Sequence, residues 1–144
     1  MDAFKAACVE FARAALARNA ALLVVGDSRS VAFPDALRPY AQRRARGSPA
    51  VNLLVNYGWQ WDLSAAISGP RKNAPVMDSL ASAAVSRIDL IVRWGGRQRL
   101  SGFLPLQSAY ADLYVIDTLW PEMRIAEFHD SLAWYAEQDV TLGG

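Results

Sequence analysis

Apolar residues in this chain follow two alternating rhythms. Short, mainly apolar runs stand at "ALLVV" (21–25), "AVNLLVNYG" (50–58), "RIDLIV" (87–92) and "LYVID" (113–117), and each predicts a buried strand. Between them, apolar positions recur every three or four residues. Over 2–19 that spacing predicts a helix with Asp2 as N-cap and Phe4, Ala7, Cys8, Phe11, Ala15 and Leu16 on one face. Residues 34–46 hold Leu37, Tyr40 and Ala41 among arginines and predict a surface helix, with Pro39 weakening its start. A short helix is predicted at 60–68, a loop at "SGPRKNAP" (68–75) and a weak helix at 76–86. "FLPLQSAYADL" (103–113) predicts a helix that starts near Pro105. Residues 124–138 predict an amphipathic helix with Ile125, Phe128, Leu132 and Tyr135 on one side.

Continuous apolar strands separated by helices are the pattern of a parallel sheet covered on both faces. The fold expected is therefore α/β, a predominantly parallel sheet flanked by helices, with residues 1–144 forming one domain. Ligands of such sheets bind at the carboxyl ends of the strands. Three loops are expected there: "GDSRS", "NYGWQW" and "RWGGRQRLS".

Composition narrows the function. With 53% hydrophobic and 20% charged residues, the chain is globular. A net charge of +1 gives no global field for nucleic acid, and the basic stretch "RPYAQRRAR" reads as a solvated helix face. The single cysteine, Cys8, excludes an internal disulfide framework and a Cys-cluster metal site, and it suits a reducing compartment. No apolar run approaches the roughly 20 residues that span a bilayer. Asp2 and Glu10 interrupt the Arg/Ala pattern of the N-terminus, so it reads as part of the fold rather than a targeting segment, and a cytoplasmic location is expected.

The cationic loop is the candidate for chemistry. Arg93, Arg97 and Arg99 carry guanidinium forks that match phosphate oxygens. Gly95 and Gly96 lack Cβ atoms, so their backbone N–H groups can approach a ligand closely. Ser101 adds a hydroxyl near the start of the next predicted helix, whose dipole favours anions. The alternative is a solvated loop whose arginines pair with surface carboxylates. His129 reads as a surface residue, and Ser28 and Ser30 lack a His/Asp set for nucleophilic catalysis. Trp59, Trp61 and Trp94 either roof the core or cover an apolar ligand. Trp120, Trp134 and Tyr135 read as core or interface residues.

The stretch "DLIVRWGGRQRLSGFLPLQSAYADLYVIDTLWPE" (89–122) resembles the signature region of cis-prenyltransferases, the undecaprenyl diphosphate synthases among them. "VVGD" (24–27), "NLLVNYG" (52–58) and "SLAWYAEQDVTLGG" (131–144) resemble family segments in the same order. The resemblance implies condensation of isopentenyl diphosphate onto an allylic diphosphate, with magnesium. It implies that Arg93, Arg99 and Ser101 hold the isopentenyl diphosphate, beside Gly95 and Gly96. It further implies that Asp112 stands where a glutamate helps bind the metal. It implies a dimer formed through the C-terminal part of the fold, and peripheral membrane association through the product.

The departures from the family are equally specific. No Asp-Gly-Asn segment occurs, so the resemblance begins partway through the family fold and lacks the allylic-diphosphate site and much of the product tunnel. Arg97 stands where the family has a glutamate, so the resemblance implies that it matters less than Arg93 or Arg99. Trp59 and Gln60 replace a glycine and an arginine, and Thr141 replaces an arginine that reaches the partner's diphosphate. The expectation is a chain inactive in isolation, with no complete catalytic set of its own. It contributes to polyprenyl diphosphate synthesis as a homodimer or as a heteromer with a chain carrying the allylic site. The alternative is a non-catalytic, diphosphate-binding or regulatory homologue acting through dimerisation.

Overall fold

The computed structural model describes residues 3–42, 44–68 and 75–139; the predicted N-cap Asp2, most of the 68–75 loop and Thr141 lie outside them. The chain divides into two compact units, Met1–Val85 and Ser86–Gly144.

The first unit begins with α1 (Ala3–Ala17) and β1 (Ala21–Val25). A 3-10 turn at Asp35–Leu37 leads into the short α2 (Arg38–Gln42), followed by β2 (Ala50–Leu54), α3 (Trp59–Ser68) and α4 (Val76–Ser79). β1 and β2 pair in parallel from Ala21↔Ala50 to Val25↔Leu54. Every residue of β1 is buried, as an unbroken apolar run requires. The core gathers Cys8, Ala12, Leu22, Val24, Phe33, Leu37 and Val55. α1 turns its small residues Cys8 and Ala12 inward, while Phe4 and Phe11 are half-exposed at its flank. Small side chains let the helix lie close to this core, so the buried face is rotated from the one that apolar spacing predicts.

The predicted 34–46 helix shrinks to five residues with Pro39 second, where a missing N–H disrupts no helical bond. Beyond it, Arg44 ties the strands: its Nη1 donates to Ala21 O (2.9 Å) and its Nη2 to Asn52 Oδ1 (2.6 Å) and Ala84 O (3.2 Å). The weak 76–86 helix survives only as α4. Residues beyond α4 are held by a buried carboxylate instead. Asp62, in the first turn of α3, accepts from Ser82 N–H (2.8 Å), Ser82 Oγ (2.6 Å) and Tyr57 Oη (2.8 Å). A buried carboxylate is tolerated because donors replace its water. Burial, and then the bond to Asp62, push the Tyr57 phenol upward in pKa, which keeps it a donor.

The second unit holds β3 (Leu90–Trp94), β4 (Asp112–Ile116), a 3-10 turn (Trp120–Glu122) and α5 (Ile125–Ala136). β3 and β4 are again parallel, from Leu90↔Asp112 to Trp94↔Ile116. The α/β class with parallel strands is thus as expected, with the strands paired two by two. β3 starts three residues and ends two residues later than predicted, so Arg93 and Trp94 belong to the strand and not to the loop. The predicted 103–113 helix is absent. Leu104 precedes Pro105, which disfavours the helical region, and it takes φ 40° instead. Turns replace the helix. Ser108 N–H donates to Leu104 O (2.9 Å), and its hydroxyl lies against the Phe103 and Leu104 carbonyls (3.1 and 2.9 Å). Leu104, Gln107 and Ser108 are buried and anchor the segment. No helix among the described residues is long and apolar enough to cross a membrane.

Candidate functional site: an arginine loop at the end of a parallel strand pair

Side chains alternate between the two faces of a strand. Leu90, Val92 and Trp94 therefore share one face of the second unit's strands with Asp112, Tyr114 and Ile116, whereas Arg93 lies on the opposite face with Ile91, Leu113 and Val115. α5 and the turn before it cover the first face. Tyr114 packs on Trp134 (ring centroids 5.2 Å apart), and Trp94 meets Trp120 edge-on at 5.0 Å and 86°. Trp94 is thus a packing residue of the face away from Arg93. In the first unit, Trp61 meets Tyr57 edge-on at 6.2 Å.

After Trp94 the backbone turns through Gly95 (φ 90°) and Gly96 (φ 67°), a region that side-chain-bearing residues rarely adopt. The turn closes onto β4. Gly95 N–H donates to Thr118 O and Gly96 N–H to Ile116 O, each at 3.0 Å. These amides extend the strand pairing, so what they fix is the path of the loop rather than a free anion-binding nest. A Cβ at Gly96 would lie 3.1 Å from Asp117 Oδ1, so this carboxylate stands directly against the turn.

Arg93 is half-buried, and Arg97, Arg99 and Ser101 are exposed. Among the described residues, none of the three arginines has a carboxylate within ion-pair distance. Arg29, Arg38, Arg87 and Arg124 each do, at 2.8–3.6 Å. The loop is solvent-exposed, but among the described residues its arginines do not form the carboxylate pairs of the alternative reading. Ser101 takes φ 52°, and no helix follows it, so no helix dipole supports its hydroxyl.

Asp112 is separated from the loop in two ways. It opens β4 opposite Leu90, three positions before the level of Arg93, or about 10 Å along the strands. It also lies on the other face. Asp117, the residue after β4, is the carboxylate that the loop does meet. Among the described residues, no three His, Cys, Asp or Glu side chains gather as a metal-holding group. The residues around the arginine loop in this unit do not fit a divalent cation.

A second support was not expected from the sequence. Glu127, in the first turn of α5, accepts from Thr118 Oγ1 (2.5 Å), Arg124 N–H (2.9 Å) and Arg124 Nη2 (3.2 Å). The Thr118 bond first, and then the Arg124 amide, lower its carboxyl to about 2. Since Thr118 O receives the Gly95 amide, α5 holds the loop through two hydrogen bonds in series. The Arg124-x-x-Glu127 spacing, like a capping box, was the available signal. In the first unit, an apolar hollow of about 220 Å³ is lined by residues including Phe11, Ala15, Leu22, Val51 and Leu53.

The prenyltransferase family model described as undecaprenyl diphosphate synthase matches residues 1–143. This chain belongs to that family. It is similar to an isoprenyl transferase of Leptospira interrogans, 37% identical over 108 residues, which are 65% of this chain and 45% of the relative. It is also similar to a ditrans,polycis-undecaprenyl-diphosphate synthase ((2E,6E)-farnesyl-diphosphate specific) of Shewanella oneidensis. There the identity is 31% over 138 residues, 85% of this chain and 50% of the relative. The chain thus spans about half the length of these curated relatives. In fold it resembles lavandulyl diphosphate synthase from Lavandula x intermedia, solved in complex with dimethylallyl diphosphate. The TM-score is 0.75 at 18% identity, over 96% of this chain and 67% of that one.

Proposed function

We propose that the segment from Arg93 to Ser101, the end of β3 and the loop after it, binds the diphosphate of isopentenyl diphosphate. In this reading the chain contributes to polyprenyl diphosphate synthesis together with a chain that carries the allylic-diphosphate site. The observation that carries this is a set of arginines that, among the described residues, form no ion pair, at the carboxyl end of a parallel strand pair and within the segment matched by the family model. Arg93 and Arg99 clamp the diphosphate oxygens, and Ser101 donates its hydroxyl. The glycine turn, held by Thr118 and Ile116, keeps the loop in one path and so fixes where the isopentenyl double bond lies relative to an electrophile. Magnesium enters through the family alone, and a cytoplasmic location and peripheral membrane contact through the product go with that chemistry.

A second reading is a non-catalytic diphosphate-binding subunit that acts by dimerising. The apolar stripe of α5 supports it. Ile125, Phe128 and Leu132 stand on one side of the helix and remain exposed at 65%, 38% and 45%, which leaves a face for a homodimer or heteromer. The two readings separate when the chain is mixed with candidate partners, labelled isopentenyl diphosphate, an allylic diphosphate and magnesium. Labelled polyprenyl product that needs both chains and is lost in Arg93→Ala supports the first. Product formed equally well by the partner alone overturns it.

A further inference from the structure

The loop's own charges point to the form in which its ligand is bound. Three guanidinium groups fall within nine residues, Arg93 half-buried near the end of β3 and Arg97 and Arg99 exposed in the loop after it, and none is neutralised by a carboxylate among the described residues. Metal-bridged diphosphate sites are built the other way round. Carboxylates hold the cation, which in turn holds the phosphate oxygens. Here the single carboxylate against the turn is Asp117. Asp112 lies at the other end and on the other face of the strands. Arginine replaces the bridging cation both in charge and in geometry, since its fork contacts two phosphate oxygens at once.

We infer that Arg93 at the end of β3 and Arg97 and Arg99 in the loop after it take a free diphosphate directly, with no bridging divalent cation, and that Arg97 is a binding residue equal to its neighbours. The inference rests on the diphosphate reading of the loop above and specifies it. It gives the site a preference for the uncomplexed anion. A diphosphate already carrying magnesium has lost part of its negative charge and offers fewer free oxygens to the guanidinium groups.

The test is calorimetric titration of inorganic pyrophosphate into the full chain, once in excess EDTA and once in excess magnesium chloride. The wild-type chain is expected to bind in EDTA at least as tightly as in magnesium. Arg97→Ala is expected to bind about 10-fold more weakly in EDTA, the loss of one charge-assisted contact. Arg97→Glu is expected to lose binding in EDTA and to regain part of it in magnesium, because the new carboxylate repels the anion but can hold the cation. Arg97 is exposed and makes no ion pair, so both variants should fold, as circular dichroism would verify. Wild-type binding that requires magnesium, or an Arg97→Ala affinity equal to wild type, overturns the inference and leaves the diphosphate reading standing. Absence of binding in both conditions overturns both.

Discussion

Two glycine-led loops leave the carboxyl ends of leading strands, one after β1 and one after β3. Both combine glycine, serine and arginine, and from the residue list alone they look equivalent. In the first, Asp27 Oδ1 accepts the Arg29 amide at 3.1 Å and lies 3.6 Å from Arg29 Nε. The Asp27 amide in turn donates to Asn56 O at 3.2 Å, and the Ser30 amide to Asp27 O at 3.2 Å. Its charge is closed within three residues and its backbone is tied to the end of β2. After β3 the amides of the two glycines are tied down in the same manner, but among the described residues Arg93 at the strand end and Arg97 and Arg99 in the loop have no carboxylate within ion-pair distance. Arginine in a strand-end loop is therefore a poor marker of an anion site. In the second loop backbone bonds hold the glycine turn, and Asp117 stands against that turn without forming an ion pair with the arginines.

The largest effect is expected from giving the second loop the pairing of the first. Arg97→Asp puts a carboxylate two residues before Arg99, as Asp27 stands two before Arg29. It removes one cation and neutralises another, so pyrophosphate affinity should fall about 100-fold in a calorimetric titration. A fall below about threefold would show that the unpaired charge is not what distinguishes the loops.

Next comes the turn that holds the loop. Gly96→Ala must place a side chain at φ 67° with its Cβ 3.1 Å from Asp117 Oδ1. The backbone strain alone costs about 1–2 kcal/mol, which a urea midpoint would register. An unchanged midpoint would mean that the turn has another conformation available.

Acid sensitivity tests the link from α5. The Glu127 carboxyl is lowered to about 2, against an ordinary value of about 4.3. Its contribution is therefore present above the unfolded value and is lost as pH falls through the folded one. The difference in melting temperature between wild type and Glu127→Gln should be constant above about pH 5 and shrink from there towards pH 2. A difference that does not vary over that window would remove Glu127 from the account. The smallest effect is expected for Asp27→Asn. It frees Arg29, whose side chain is 88% exposed, and should change pyrophosphate affinity less than about twofold.

The sequence made some of this legible and not the rest, for physical reasons. "ALLVV" reads as a strand because five consecutive apolar residues can be buried only between covering layers, and β1 has those bounds. The arginine loop is legible because no pattern of burial accounts for three cations and two glycines together. The helix expected at 103–113 failed at Leu104–Pro105, where a local restriction outweighs apolar spacing. The position of Asp112 was not legible, because face and end depend on strand register, and a slip of one residue exchanges the faces. The Glu127–Thr118–Gly95 link and the clasp of Asp62 on Ser82 join residues 9 to 23 and 20 positions apart, beyond the reach of any local periodicity.

The central claim is that the loop is a diphosphate cradle built on Arg93 and Arg99. Titration of isopentenyl diphosphate into wild type, Arg93→Ala and Arg99→Ala tests it most directly. Each lost charge-assisted contact removes about 1.5–3 kcal/mol, so each variant should bind about 10- to 100-fold more weakly, with its melting temperature close to wild type. Binding by either variant that equals wild type would contradict the claim.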